Sequence, residues 1–363
     1  MSPLAATLKS RIEANGPMTV EAWMSACLAD PEYGYYMTRD PFGRAGDFTT
    51  APEISQMFGE LLGLWAGVVW QQMGNPSNAH LIEIGPGRGT LMKDALRALR
   101  GVPGILDAID VHMVETSPVL TTVQQHSLKD APCNVTWHTN MDAIPNGPTI
   151  LIANEFLDAL PVRQYMRDNG DWFERVVTYE KDRFVFGLGT KIDTARIPEK
   201  LRTSPDGAIY EDAPAVQRAV QDIAGRVTSA GGAALILDYG YTEFAVGETL
   251  QALSKHAYAD PLESPGDDDV TAHVNFADVK AQAEGASARV WGPIEQGAFL
   301  ERLGIAARAA SLLVNATKDQ AEDIATARRR LVDADAMGRL FKVIAITHAE
   351  HAAPPAFETV RWA

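Results

Sequence analysis

From His80 onward the chain alternates short apolar runs with amphipathic stretches. Leu81 to Ile84 reads as a strand that ends in glycines. Thr90 to Leu99 follows as a helix, with Leu91, Ala95 and Leu99 on one face. Ile109 to Val114 is a second strand. Ser117 and Pro118 then supply an N-cap and a first-turn proline for a helix to about Leu128. Asn134 to Trp137 and Thr149 to Ala153 are a third and a fourth strand, Ala233 to Leu237 another, and Val343 to Thr347 a final one. Strands and helices alternating at this spacing predict an α/β fold with a mainly parallel sheet.

Other stretches depart from that rhythm. Before residue 78 the pattern is helical: Thr19 to Cys27, then an apolar helix from Ile54 to about Met73, closed by Gly74, Asn75 and Pro76. Trp172 to Tyr179 and Arg183 to Leu188 form a predicted hairpin around Glu180-Lys181-Asp182. Val216, Val220, Ile223 and Val227 mark a helix face, and the Pro- and Asp-rich stretch from Tyr258 to Asp269 reads as a long loop. This divides the chain into an N-terminal helical segment, 1–78, and a core, 79–363. Inserted in the core are a hairpin region at about 167–212 and a loop region at about 241–285.

Composition narrows the possibilities. Hydrophobic residues make up 46% of 363, which excludes wholesale disorder. No run of eighteen apolar residues predicts a membrane span. The N-terminus lacks an apolar h-region and an Arg- and Ser-rich leader, so the expected compartment is the cytoplasm, as for a bacterial-type protein. Cys27 and Cys133 form no CxxC pattern, are expected to be buried thiols, and offer no start for a metal site. A formal charge of −15 disfavours nucleic acid as a partner and favours a cationic or neutral substrate. Arg328-Arg329-Arg330 reads as a solvated helix face.

The chemistry concentrates at strand ends. Glu83-x-Gly85-Pro86-Gly87-x-Gly89 lies at a strand-to-helix junction, where glycines let the backbone approach a ligand closely. Its G-x-G-x-G spacing differs from the G-x-G-x-x-G of dinucleotide sites, and a carboxylate two residues before the first glycine would oppose a pyrophosphate. The same carboxylate suits S-adenosylmethionine, which carries an ammonium and a sulfonium. Glu115 ends the next strand, placed to accept from a ribose diol, although nicotinamide enzymes also use an acid there. Asp142 follows the third strand and is either an acceptor for an adenine amino group or a solvated loop residue.

At the end of the fourth strand stand Asn154, Glu155 and Asp158 in Ala153 to Pro161. A carboxylate there can hold a guanidinium with paired hydrogen bonds, which is what arginine methylation needs; helix capping is the alternative role. Asp238-Tyr239 ends another strand, and His273 reads as a packed histidine rather than a base. Gly46 to Glu53, around Phe48, is a candidate lid over the cofactor.

Together these segments resemble the MidA-like methyltransferases, whose mitochondrial members are complex I assembly factors acting as protein arginine methyltransferases. The resemblance is carried by Gly34-Tyr35-Tyr36, GDFTTAPEIS (46–55), Phe58-Gly59-Glu60, EIGPGRGTLM (83–92), Val114 to Pro118, ANEFLDALP (153–161), Asp238-Tyr239-Gly240 and DVTAHVNF (269–276). It implies a class I (Rossmann-like) methyltransferase with a seven-stranded sheet, an added N-terminal segment and insertions after the fourth and fifth strands. It implies S-adenosyl-L-methionine as cofactor, held by Glu83, Gly85, Pro86, Gly87, Gly89 and Glu115, and a substrate end at Asn154, Glu155 and Asp158. It also implies symmetric ω-N-methylation of an arginine in a protein such as a complex I subunit. The competing readings are a small-molecule methyltransferase and a non-catalytic assembly scaffold. A nicotinamide oxidoreductase stands further off, and an oligomer is compatible with the apolar helix from Ile54.

Overall fold

Two six-residue runs in which every residue is buried, Ala79–Ile84 and Thr149–Asn154, belong inside a sheet that is covered on both faces. The computed structural model describes residues 2–41, 50–254 and 257–358, and places both runs at the centre of an eight-stranded sheet. Its main strands are β1 (Ala79–Ile84), β2 (Ile109–Val114), β3 (Val135–His138), β4 (Thr149–Asn154), β5 (Gly232–Tyr241), β6 (Arg289–Glu295) and β7 (Phe341–Thr347). Neighbours follow the order β6-β7-β5-β4-β1-β2-β3, and the two-residue strand Val274–Asn275 lies off this path. From β5 to β3 every pairing is parallel, whereas β7 runs antiparallel to both β5 and β6. The expected α/β organisation is therefore present, in a mixed sheet with one strand more than expected.

The chain divides into two units. One comprises Thr49–Phe156, Val220–Gly240 and Val279–Ala363, and contains β1 to β7. One face of its sheet, with Leu81, Val111, Met113 and Ile152, packs in a single core with Phe58, Leu62 and Trp65 of helix α1 (Gln56–Gln72) and Leu91 and Leu99 of helix α2 (Thr90–Leu99). The two helices approach closely because α1 carries glycines at the crossing. A Cβ on Gly59 would lie 2.7 Å from the Asp94 Cβ, and one on Gly63 would lie 2.6 Å from the Ala95 Cα. This contact fixes α2, the helix that starts at the Gly-rich turn.

The other unit comprises Met1–Phe48, Leu157–Ala219 and Tyr241–Asp278. Strand Met18–Thr19 pairs antiparallel with Asp171–Glu180, which also pairs with Arg163–Asp168 and with Arg183–Lys191, the predicted hairpin. Gln251–Ser254, Ala257–Ala259 and Asp269–Thr271 form a small antiparallel sheet, so the stretch expected as a loop is partly strand. The division does not fall at residue 78. Met18–Thr19 finds its strand partner in the inserted hairpin, while α1 finds its core against the main sheet. None of the described helices is long and apolar enough to cross a membrane. Cys27 is buried, but Cys133 is only half-buried.

On the sheet face opposite α1 and α2, three histidines from adjacent strands form a chain. His80 Nδ1 lies 3.0 Å from His112 Nε2, and His112 Nδ1 lies 3.0 Å from His138 Nε2. Register explains the line: His80 pairs opposite Asp110 and His138 opposite Val114, so each histidine sits two residues further along the next strand. Burial, then the neighbouring imidazoles, pushes His112 down to about 4; His80 and His138 are lowered as well, with Arg226 adding to the effect and Asp110 opposing it. A neutral folded-state His112 binds fewer protons than the unfolded chain between about pH 4 and 6.5. Stability present above pH 6.5 is thus lost as pH falls through that window, by up to about 3 kcal/mol. In urea unfolding across this range, His112→Gln is expected to flatten the slope. Parallel slopes for variant and wild type would contradict the assignment.

Candidate functional site

The C-terminal ends of β1, β2 and β4 carry most of the residues singled out from the sequence. After β1 the chain turns through Gly85, Gly87 and Gly89, all at positive φ (63°, 54° and 74°), a region other residues enter only with strain. Space is limited too: a Cβ on Gly85 would lie 3.1 Å from Phe156 Cδ2. The Pro86 carbonyl accepts from Gly89 N–H (2.8 Å), and Gly89 becomes the N-cap of α2 without a side-chain cap. The turn leaves a backbone cradle at a helix N-terminus.

Glu83 lies beneath that turn, 3% exposed. Burial pushes its carboxyl up to about 8, offset in part by a hydrogen bond from the Met92 backbone. Its Oε2 has no hydrogen-bond partner among the described residues. A buried carboxyl oxygen in this state suits a cationic or hydrogen-donating ligand group.

Glu115 directly follows β2. Its Oε1 accepts from Ser117 N–H (2.8 Å), and its Oε2 accepts from the side-chain amide of Gln124 (3.0 Å). Burial raises its pKa, and the backbone donor Ser117 and the Gln124 amide oppose the rise. Gln124, on helix α3 (Pro118–Ser127), was not among the expected site residues, yet it is fully buried and also donates to the Gly87 carbonyl (2.8 Å). Its only sequence signal is position: a polar residue on the inward face of a helix that begins three residues after Glu115. Asp142 sits in the one-turn helix Met141–Ala143 and is exposed.

At the end of β4, Asn154 is buried and Glu155 adopts a left-handed backbone (φ 51°). Glu155 Oε1 accepts from Asn154 Nδ2 (3.0 Å) and from Ala51 N–H (2.9 Å). Asn154 Oδ1 is buried with no partner among the described residues. The Ala51–Ile54 turn is also tied to the Gly-rich loop, since Thr90 Oγ1 donates to Glu53 and Arg88 approaches the same carboxylate at 3.7 Å. Thus Thr50 to Glu53 of the expected lid is packed, with Thr50 and Ala51 buried. Phe48 and residues 46–49 lie outside the described residues.

Asp158 belongs to the other unit, apart in the chain's division from Asn154 and Glu155. It is buried, its carbonyl accepts from Ala272 N–H (3.0 Å), and its charge adds to the effects, burial first, that raise Tyr36 well above the ordinary phenol range. His273, in the same unit, is half-buried, lowered by burial, and donates its backbone N–H to Thr249 Oγ1 (2.9 Å). Asp238, in β5, is fully buried and accepts from Tyr239 N–H. Arg328 pairs with Glu301, so only Arg329 and Arg330 of that triplet are exposed.

Residues 61–294 match the model of a family described as S-adenosyl-L-methionine-dependent methyltransferases. The chain is 35% identical to the mitochondrial protein arginine methyltransferase NDUFAF7 homolog of Drosophila melanogaster, over 94% of this chain and 84% of that protein. It is 33% identical to the mitochondrial NDUFAF7 protein arginine methyltransferase of Danio rerio, over 93% and 85%. A crystal structure from Burkholderia thailandensis with bound S-adenosyl-homocysteine superposes with a TM-score of 0.87 at 28% identity, covering 99% of this chain and 94% of that one. The expected cytoplasmic location does not stand, because these curated relatives are named as mitochondrial proteins. The absence of a recognisable Arg- and Ser-rich leader is no measure of compartment.

Proposed function

The chain belongs to the family of S-adenosyl-L-methionine-dependent methyltransferases, and on that footing we propose that it methylates an arginine side chain of a protein. The observation that carries the reading is Glu155. It is a carboxylate in a left-handed backbone at a strand end, with one oxygen fixed by Asn154 and Ala51. Relatives named protein arginine methyltransferases support the acceptor. The resemblance noted above adds symmetric ω-N-methylation and a complex I subunit as the expected product and partner.

In this reading Gly85, Pro86, Gly87 and Gly89 cradle the cofactor's aminoacyl end. The unpartnered Oε2 of Glu83 takes its ammonium, Glu115 takes the ribose diol, and Asp142 faces the adenine amino group. The cofactor supplies an electrophilic methyl on a sulfonium. A guanidinium is a weak nucleophile while its lone pair is delocalised. Glu155, oriented through Oε1, pairs with it and localises its charge away from the attacking nitrogen. The nitrogen that gains the methyl would shed a proton, and Glu155 would be the group that accepts it. Asn154 aligns Glu155, and Asp158 remains a candidate for the substrate end.

Supplying S-adenosylmethionine with a labelled methyl, together with extract of cells lacking the protein, tests this. Label is expected in polypeptide. Label confined to solutes would favour the small-molecule reading, and none at all with a folded enzyme the scaffold.

Glu83 yields a separate expectation. Held up to about 8, it is mostly protonated at pH 7 and must ionise to meet an ammonium. Calorimetry of S-adenosylhomocysteine binding in phosphate and in Tris is expected to show release of close to one proton, and none for Glu83→Gln. Buffer-independent heats in the wild type would remove this role for Glu83.

A further inference from the structure

Gln124 satisfies every part of its amide inside the protein. Its Nε2 donates to the Gly87 carbonyl (2.8 Å) and to Glu115 Oε2 (3.0 Å), and its Oε1 accepts from the indole N–H of Trp137 (3.0 Å). The side chain is fully buried, and a Cβ on Gly89 would stand in ordinary van der Waals contact with it, 3.5 Å from Gln124 Cγ. Only a carboxamide offers two donors on one side and an acceptor on the other, and Asn, one methylene shorter, has less reach than Gln. The Trp137 donor fixes which way the amide faces, so both N–H groups must point at the Gly-rich turn and at Glu115.

We infer that Gln124 is a positioning residue that locks the Gly-rich turn and the Glu115 carboxylate into one register, so that the two halves of the cofactor site are set together. The inference rests on the S-adenosylmethionine reading of that site. Without the amide, Glu115 keeps, among the described residues, the backbone donors of Ser117 and Thr116, and the Gly87 carbonyl loses the Gln124 donor. Leucine at 124 fills similar space but offers no hydrogen bond. Glutamate would set a carboxylate against another carboxylate and a carbonyl.

Calorimetry with S-adenosylhomocysteine on wild type, Gln124→Leu, Glu115→Ala and the double variant tests it. Gln124→Leu is expected to weaken binding by about tenfold or more, and to add little once Glu115 is gone. The KM for S-adenosylmethionine is expected to rise more than kcat falls. The pH below which binding fails is expected to move up, because Glu115 loses a donor to its ionised form. Should Gln124→Leu unfold, Trp137→Phe keeps an aromatic ring, removes the indole donor and is expected to weaken binding by several-fold. Additive losses in the double variant, or wild-type affinity in the folded single variants, would overturn the inference. Absence of binding by the folded wild type would instead overturn the cofactor assignment itself.

Discussion

Glu155→Gln is expected to lower methyl transfer by at least about a hundredfold while leaving affinity for S-adenosylhomocysteine within about threefold. The amide is close in shape, so the turn at φ 51° and the donor from Ala51 can persist. On the proposed reading it would lose the charge to pair with a guanidinium and the basicity to receive its proton. The loss should appear in kcat measured at saturating cofactor, with thermal unfolding unchanged to within a degree or two. An active Glu155→Gln enzyme would place the acceptor elsewhere and reduce Glu155 to an anchor for Ala51. A variant that lost cofactor binding in parallel would make Glu155 part of the cofactor site instead.

Glu115→Ala is expected to weaken S-adenosylhomocysteine by about 10- to 100-fold, the range for removing a charged acceptor of hydroxyl hydrogen bonds. The substitution also removes the acceptor of one Gln124 amide N–H and of the Ser117 N–H, both of which the carboxylate now holds. Direct titration by calorimetry measures the effect. Adenosine, which carries the diol without the aminoacyl end, should lose about as much as the whole ligand. Equal affinities for variant and wild type would remove Glu115 from the site.

Much of the sheet was legible because its signals are local. Thr90–Leu99 and Ile109–Val114 occur with the bounds expected, and Ser117 caps its helix through Leu120 N–H as Ser-Pro suggested. The strand Arg289–Glu295 was not, since its Gly292-Pro293 reads as a turn, whereas the strand continues across a register shift between Trp291 and Ile294. The small antiparallel sheet at 251–271 escaped for a similar reason: its partners are brought together by a Pro- and Asp-rich connection. At the site, the glycines and strand-end carboxylates were visible because their chemistry attaches to fixed offsets from a strand. Gln124 was not, because its contact with Gly87 spans 37 residues of sequence; Ala51 lay in the expected lid, but its contact with Glu155, 104 residues on, carried no local signal. The division into units was hidden as well, since the two-residue strand Met18–Thr19 carries no recognisable pattern, and its partner lies in the inserted hairpin.

The most direct test of the proposed activity is the chemical identity of the methylated residue. After incubation with S-adenosylmethionine labelled in the methyl group and extract of cells lacking the protein, the polypeptide fraction is hydrolysed and its labelled amino acids are separated. The account predicts label in methylarginine with the wild-type enzyme and its loss with Glu155→Gln. Label in another amino acid, or methylarginine formed equally by both enzymes, would contradict it.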